Sequence, residues 1–432
     1  MKHDSLRKMT LLGGIVAASA LVLSGCSVTG ATSNGGAAGD GTGTVNVLLM
    51  KQAGLTEDDF ASIIDQFEKE NSGITVKPTF VSYESLHDKI VTAAPSGTYD
   101  AVMIDVIWPA EFASKGIIAD VTDKFPKEWE EQMLGGVLPT AKYQDKYYGV
   151  PMGPSTKLFF YNTDMMSKVG ATDADLQTWD GVLGVARKIK SAGLSEYPIA
   201  WSWAQAEALI CDYAQLLGAY GGEFTDSSGK LVINEKAGVD ALTFMKASLD
   251  EGLSNPGSTT FLEDDVSKTL AQGETAFGLN WESTMRDLDD PSISNVVNTM
   301  GVMTTPAGPS GDRPGVNGSM ALSIAANSKN KDAAWKFIEF ATSEASQNQF
   351  VKSAMPNWKN SYTLPEIIAT NPKVLGIADT AFAASILRPA VPNYSSASQI
   401  IQVEVQNALL GNKTPQQAMD DAVAQANKLL EG

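Results

Sequence analysis

Histidine is almost missing from this chain of 432 residues: His3 and His87 are the only two. A His-Glu-x-x-His metal site needs a pair of histidines on one helical face, and a Ser-His-Asp set needs one beside a nucleophile. His3 lies in a leader-like segment and His87 in the middle of a helical stretch, so neither arrangement can be built. Cysteine is equally scarce. Cys26 falls at a processing signal, which leaves Cys211 without a partner and excludes an intrachain disulfide framework. Beside the run Ala208-Leu209-Ile210, Cys211 reads as a buried thiol. Gly-x-Ser-x-Gly and the phosphate-cradling Gly-x4-Gly-Lys-Ser/Thr are absent. Positive charge is short as well, with 32 Lys and Arg against 50 Asp and Glu and a formal net charge of −18. That balance disfavours nucleic acid and anionic membrane as partners. A glycoside hydrolase could draw two carboxylates from so many, but nothing marks out a pair. These absences point to a binder that needs no metal or cofactor.

What is present begins with an address. Lys2, Arg7 and Lys8 precede the apolar run Leu11–Leu23, which is too short to span a bilayer but suits a signal h-region. Leu23-Ser24-Gly25-Cys26 resembles the lipobox of bacterial lipoproteins, which implies a signal over 1–25 and lipidation at Cys26. Loss of 1–25 removes a net +2 and leaves a chain near −20. Ser27–Gly43 holds six glycines and no large apolar side chain, so 26–43 reads as a lipidated start and flexible tether. Seventeen such residues span roughly 20–25 Å. The expected location is the outer face of the cytoplasmic membrane, with a Gram-positive envelope favoured.

The body exceeds one comfortable core, so two domains are the default. Its 43% hydrophobic and 19% charged content is ordinary for a globular protein. Thr44–Met50, Ile74–Phe80 and Ala101–Ile104 read as strands. Helices at Asp58–Glu70 and Leu86–Ala94 alternate with them, the βαβαβ pattern of a parallel sheet. Ligands of open α/β sheets sit beyond the carboxyl ends of the strands. The loops at Lys51-Gln52, at Val81-Ser82-Tyr83 and at Asp105–Trp108 follow those ends. The stretch Lys146–Asp164 has no helical period, is broken at Gly153-Pro154, and reads as a crossing between two lobes. Beyond it come helices at Trp179–Ala192, Ala206–Leu217, Ala237–Glu251 and Asp264–Gln272, strands at Pro198–Trp203 and Thr275–Trp281, and a hairpin near Phe224–Asn234. A Pro- and Gly-rich stretch, Thr304–Gly318, leads to the strand Met320–Ala325. Helices follow from Asn330, at Ala397–Leu410, and from Thr414 as N-cap with Pro415 at N1.

Five phrases then resemble one family. They are Tyr99–Asp123 (YDAVMIDVIWPAEFASKGIIADVTD), Tyr148–Lys188 with Tyr-Gly-Val-Pro and Tyr-Asn-x-Asp, the Gly-Lys turn in Phe224–Asn234, Gly315–Phe340, and Arg388–Tyr394 (RPAVPNY). In that order, over residues 44–432, the chain is similar to the family 1 extracellular solute-binding proteins of bacterial ABC sugar importers, the maltose-binding-protein-like group. The resemblance implies an α/β, two-lobed periplasmic-binding-protein-like fold, each lobe a mostly parallel sheet flanked by helices. It implies three hinge crossings, near Met152, Met320 and Met355–Asn357. Lobe one is then 44–152 plus 321–356, and lobe two 153–320 plus 357–432. It further implies a carbohydrate ligand and delivery to the permease of an ABC importer by a monomer; the aromatics crowding the cleft loops favour a short oligosaccharide over a monosaccharide.

A sugar presents hydroxyls at its rim and C–H faces above and below, which carboxylates, amides, arginine and aromatic rings answer. Trp281, with Asn280 beside it, ends a strand where the family commonly stacks an aromatic on sugar. Trp108 and Asp105 follow the third strand; core packing and helix capping are the other roles open to them. Tyr83, Glu84, Lys51 and Gln52 lie on neighbouring strand-end loops. Trp201 and Trp203 flank a strand end on alternate sides, so at most one is expected to face the cleft, with Gln205 and Glu207 just after. Asn317, Gly318 and Ser319 sit at the second crossing, and Arg388 in the late Arg-Pro turn. Trp179 and Trp335 lie at core spacing. Where the family often has a polar or acidic residue after Tyr-Gly-Val-Pro, this chain has Met152-Gly153-Pro154-Ser155, which puts a carboxylate from that strand in doubt. The rival readings are a polyamine- or phosphate-compound binder on the same fold, a secreted carbohydrate-active enzyme, and a surface adhesin.

Overall fold

Two sheets divide the body of the chain. The structure, a computed structural model, describes residues 41–51 and 54–430, with backbone alone at 378 and 379. The signal, the lipidation expected at Cys26 and the tether up to 40 lie outside the described residues, as does Gln52. Among the described residues no helix is long and apolar enough to cross a membrane.

In the first lobe Gly43–Met50 runs parallel to Ile74–Val81 on one side and to Ala101–Asp105, the central strand, on the other. Met320–Ile324 adds antiparallel to Ala101–Asp105, and Val150–Gly153 closes the five-stranded sheet beyond it. Helix Glu57–Glu70 covers this sheet with Phe60, Ile63, Ile64 and Phe67, the face its periodicity predicts. It starts at a capping box in which Thr56 Oγ1 accepts from the Asp59 amide at 3.1 Å and Asp59 accepts from the Thr56 amide at 2.8 Å. The three parallel strands all end toward the cleft, carrying their loops with them.

The second lobe departs from the expected parallel sheet. Its order is Met300–Met303, Lys157–Asn162, Phe277–Trp281, Ile199–Ala200, and both ladders of Lys157–Asn162 are antiparallel. Only Ile199–Ala200 runs parallel to its neighbour. The physical reason is the route. Lys157–Asn162 enters directly from the other lobe, so no helical crossover fixes its direction. The strand expected at Pro198–Trp203 shortens to Ile199–Ala200, and the hairpin near Phe224–Asn234 reduces to one bridge, Thr225 to Leu231. Asp226 organises that turn itself, accepting from the Ser228 and Lys230 amides at 2.8 and 3.1 Å.

The chain passes between sheets over 153–157 and again over 316–320, where Gly315–Val316 pairs with Ser385–Ile386 before Met320 joins the first lobe. The third passage comes later than Met355–Asn357. Asn357 still donates to Pro151 O, and Trp358 Nε1 donates to Thr342 O at 2.9 Å, both on the first lobe. Trp358 also stands edge-on to Trp129 at 5.6 Å, so the two tryptophans form one apolar corner. Contact with the second lobe is established by Lys373, whose Nζ donates to Met300 O at 3.1 Å.

Candidate functional site

Between the lobes lies a cavity of about 490 Å³, within the roughly 300–1,000 Å³ usual for small-molecule sites. Its floor is a buried charge relay. Arg388 is 2% exposed and reaches both lobes, Nη1 to Glu207 at 2.8 Å and Nη2 to Asp105 at 3.3 Å. Nη2 also donates to Asn317 O at 3.1 Å in the second passage. Asp105, last residue of its strand, accepts from the Tyr83 hydroxyl at 2.7 Å and from the Ile107 amide at 3.2 Å. Burial, and then the Asp105 charge, push the Tyr83 hydroxyl well above the usual phenol range, so it stays a donor. Glu207 gathers the Tyr394 hydroxyl at 2.6 Å and the Ser398 hydroxyl. This places helix Tyr394–Leu409 against the cavity.

The first-lobe wall is aromatic. Trp108 stacks on Tyr83 with centroids 5.6 Å apart and planes at 19°, and meets His87 at 5.4 Å. Trp108 is 3% exposed, so it is core and cavity wall at once. His87 Nε2 lies 2.9 Å from Glu111, which also takes Lys115 at 2.7 Å and Ser395 of the second lobe at 3.0 Å. Burial works to raise Glu111, but the hydrogen bonds from His87 and Lys115 outweigh it and hold the carboxyl down to about 2.

The second-lobe wall centres on Trp281, half-buried at the end of its strand. Lys157 Nζ sits 5.2 Å from its ring centroid, a cation–π contact worth about 2 kcal/mol when desolvated. That lysine is fully buried, held by Asp212 at 2.7 Å and Ser202 at 2.8 Å. The ring's far edge lies on the backbone of the second passage. A Cβ on Gly318 would stand 2.3 Å from Trp281 Cη2, so only glycine fits there. Glu282 follows, 4% exposed, accepting from Ser155 Oγ at 2.7 Å and from the Thr156 amide at 3.2 Å in the first passage.

Of the residues expected at the site, the cavity brings together Trp281, Trp108, Asp105, Tyr83, Glu84, Gln205, Glu207 and Arg388. Others are elsewhere. Trp201 and Trp203 are fully buried and stack on each other at 4.8 Å and 11°, with Trp201 Nε1 donating to Ser254 at 2.7 Å. Two positions apart on extended chain they share a side rather than alternate, and that side is core. Asn280 spends its amide on Glu263 O and the Trp281 amide, both at 2.8 Å. Asn317 donates to Gly136 O and accepts from the Ser319 amide, while Ser319 Oγ accepts from the Ser155 amide. These three fasten backbone. Lys51 is exposed, pairs with Glu57 at 2.8 Å, and borders a second cavity of about 960 Å³ that adjoins the first through Leu55, Glu263 and Asp264.

Sequence reasoning missed His87, Glu111, Ser155, Asp264, Glu282, Ser395 and Gln402, all on the cavity lining. A helical signal was available for some: Ser395 and Gln402 lie seven positions apart on one face of helix Tyr394–Leu409, and His87 is on its helix's face toward Trp108. Glu282 and Ser155 meet across 127 positions, which no local pattern discloses.

A profile described as "Bacterial extracellular solute-binding protein" matches residues 53–348. Maltose-bound MalE3 of T. maritima is 29% identical with a TM-score of 0.83, covering 90% of this chain and 100% of that one. A tagatose-bound ABC transporter solute-binding protein of Thermotoga lettingae is 28% identical with a TM-score of 0.81, covering 90% and 99%. An ABC transporter-binding protein of Deinococcus radiodurans is 26% identical over 351 residues, 77% of this chain and 80% of that protein. The chain belongs to the bacterial extracellular solute-binding proteins, a family of transporter binding proteins rather than of enzymes.

Proposed function

We propose that this protein captures a carbohydrate, most simply a short oligosaccharide, between its lobes and delivers it as a monomer to the permease of an ABC importer. Lipid attached at Cys26 holds it on the outer face of the membrane, in a Gram-positive envelope. The observation that carries the reading is the pairing of two aromatic walls, Trp281 on one lobe and Tyr83 with Trp108 on the other, around a rim of carboxylates and amides. Rings answer the C–H faces of a sugar and the rim answers its hydroxyls. The adjoining second cavity, bordered by Thr56, Ser82, Ser267 and Asn295, offers polar space for a longer chain. A phosphorylated solute is less well served. Arg388 is the one lysine or arginine among the described residues lining the first cavity, and Asp105 and Glu207 already hold it; Lys51, Lys268 and Arg286 border only the second. The carboxylates Glu84 and Asp264 on the same lining favour a polyamine as the second reading.

The test is thermal shift of residues 27–432 against a panel of maltose, maltotriose, tagatose, ribitol, spermidine and glycerol 3-phosphate. A ligand at 100 times its Kd adds about 2.7 kcal/mol. A shift with sugars alone supports the proposal. A shift with spermidine or glycerol 3-phosphate and none with any sugar or polyol overturns it.

A further inference from the structure

Among the carboxyls on the cavity lining, Glu282 has a singular position. It follows Trp281 directly and lies on the cavity lining while being 4% exposed. One oxygen, Oε2, takes both hydrogen bonds from the first passage, Ser155 Oγ and the Thr156 amide. Among the described residues no cation pairs with it, unlike Asp105, Glu111, Glu207 and Glu263. Its neighbour Trp281 rests on Gly318 of the second passage. The dipeptide Trp281-Glu282 therefore touches the first and second of the passages that join the lobes, and it does so from the cavity wall.

We propose that Glu282 is a specificity-determining ligand contact that also couples the solute to the hinge, Oε2 fastening the first passage and Oε1 meeting a hydroxyl of the bound solute. The proposal rests on the carbohydrate reading for the nature of that hydroxyl, and on geometry alone for the residue. Burial pushes the carboxyl up to about 7, opposed by the hydrogen bonds from Ser155, Thr156 and its own amide, and no charged side chain contributes. In its neutral form it can donate to a sugar oxygen; ionised, it can only accept. It therefore tolerates a neutral polyol in either state, and in its ionised form repels a solute that presents an anion there.

The experiment compares the wild type with Glu282→Gln, Glu282→Ala and Ser155→Ala in two arms. Without ligand, hydrogen exchange is followed over 153–157. Faster exchange in Glu282→Ala and Ser155→Ala than in the wild type, with an unchanged far-UV spectrum, supports the hinge contact, and equal exchange overturns it. With whichever sugar of the panel above shifts the wild type, Glu282→Ala is expected to bind at least tenfold more weakly. Glu282→Gln keeps affinity within about threefold and loses any pH dependence of Kd between pH 6 and 8. Wild-type affinity in Glu282→Ala overturns the ligand contact. If no sugar shifts the wild type, the carbohydrate reading falls, and the exchange arm still decides whether Glu282 holds the hinge.

Discussion

The stability of this protein should fall between pH 5 and 8 in a way that a single substitution, Glu282→Gln, removes. Glu282 is buried with only neutral hydrogen-bond partners, so folding favours its protonated form and lifts it from an ordinary 4.5 to about 7. A carboxyl raised on folding contributes stability that is complete below its unfolded value and is lost as pH climbs through its folded value. The displacement is worth about 3 kcal/mol, most of which disappears between pH 5 and 8. For a chain of this size that is a shift of about 3 °C in melting temperature. Glutamine has the same shape, keeps an acceptor for Ser155 and cannot ionise.

The assay is melting temperature at half-unit pH steps for both proteins, read as the difference between them. Other titrating groups, His87 among them, appear equally in both and cancel. The wild type is expected to match or exceed the variant at pH 5 and to fall about 3 °C relative to it by pH 8. Parallel curves would refute the argument, because they would mean that water or a moving chain segment solvates the carboxylate, and that Glu282 is not held as the structure places it.

Four further outcomes follow from the same walls and what holds them. Trp281→Ala should abolish sugar binding in isothermal titration while moving the melting temperature by only a few degrees, since the ring is half-buried and faces the cavity. Trp108→Ala should lose binding and about 3–5 kcal/mol of stability in urea denaturation, because its ring is 3% exposed and packs on Tyr83, His87 and Phe112; a stable variant that merely fails to bind would contradict that double role. Lys157→Ala strands Asp212 without a counter-charge, at a cost of about 3–5 kcal/mol in the same assay. Gly318→Ala forces Trp281 to turn, so affinity should drop about tenfold, about 1.4 kcal/mol, while circular dichroism stays unchanged.

Which parts of this molecule could be read from its sequence depends on how far apart the interacting residues lie. The first-lobe helix was legible because Phe60, Ile63, Ile64 and Phe67 repeat at helical spacing, though its cap at Thr56 and Asp59, which starts it one residue earlier than expected, went unread. Asp105, Tyr83 and Trp108 were legible for a related reason. A parallel sheet delivers every strand end to one edge, so position after a strand is already position near the cleft. The second lobe offered no such rule, because Lys157–Asn162 enters through a passage and pairs antiparallel with strands more than a hundred positions along the chain. Polar residues failed there in a consistent way. Asn280, Asn317 and Ser319 look like ligand groups in sequence, yet each is consumed by backbone: Asn280 by Glu263 O and the Trp281 amide, Asn317 and Ser319 by the passage amides of Ser319 and Ser155. Buried amides and carbonyls must find partners, and where chain crosses between sheets no ladder supplies them.

The same accounting explains why Glu282 matters. Ser155 and Thr156 lie where the first passage has left one sheet and not yet joined the other, and they too need acceptors. A carboxylate is an extravagant choice for that task, since an asparagine or serine suffices for Asn317 and Ser319 at the second passage. Burying an acid with no cation beside it destabilises the ionised protein by the amount worked out above. That cost persists in a position lining the cavity and adjoining the aromatic platform, where a group able both to donate and to accept has something to recognise. Asn317 and Ser319, which fasten the passages, are a neutral amide and a hydroxyl; Glu282, an acid buried with no cation beside it, is the fastening residue that also lines the cavity.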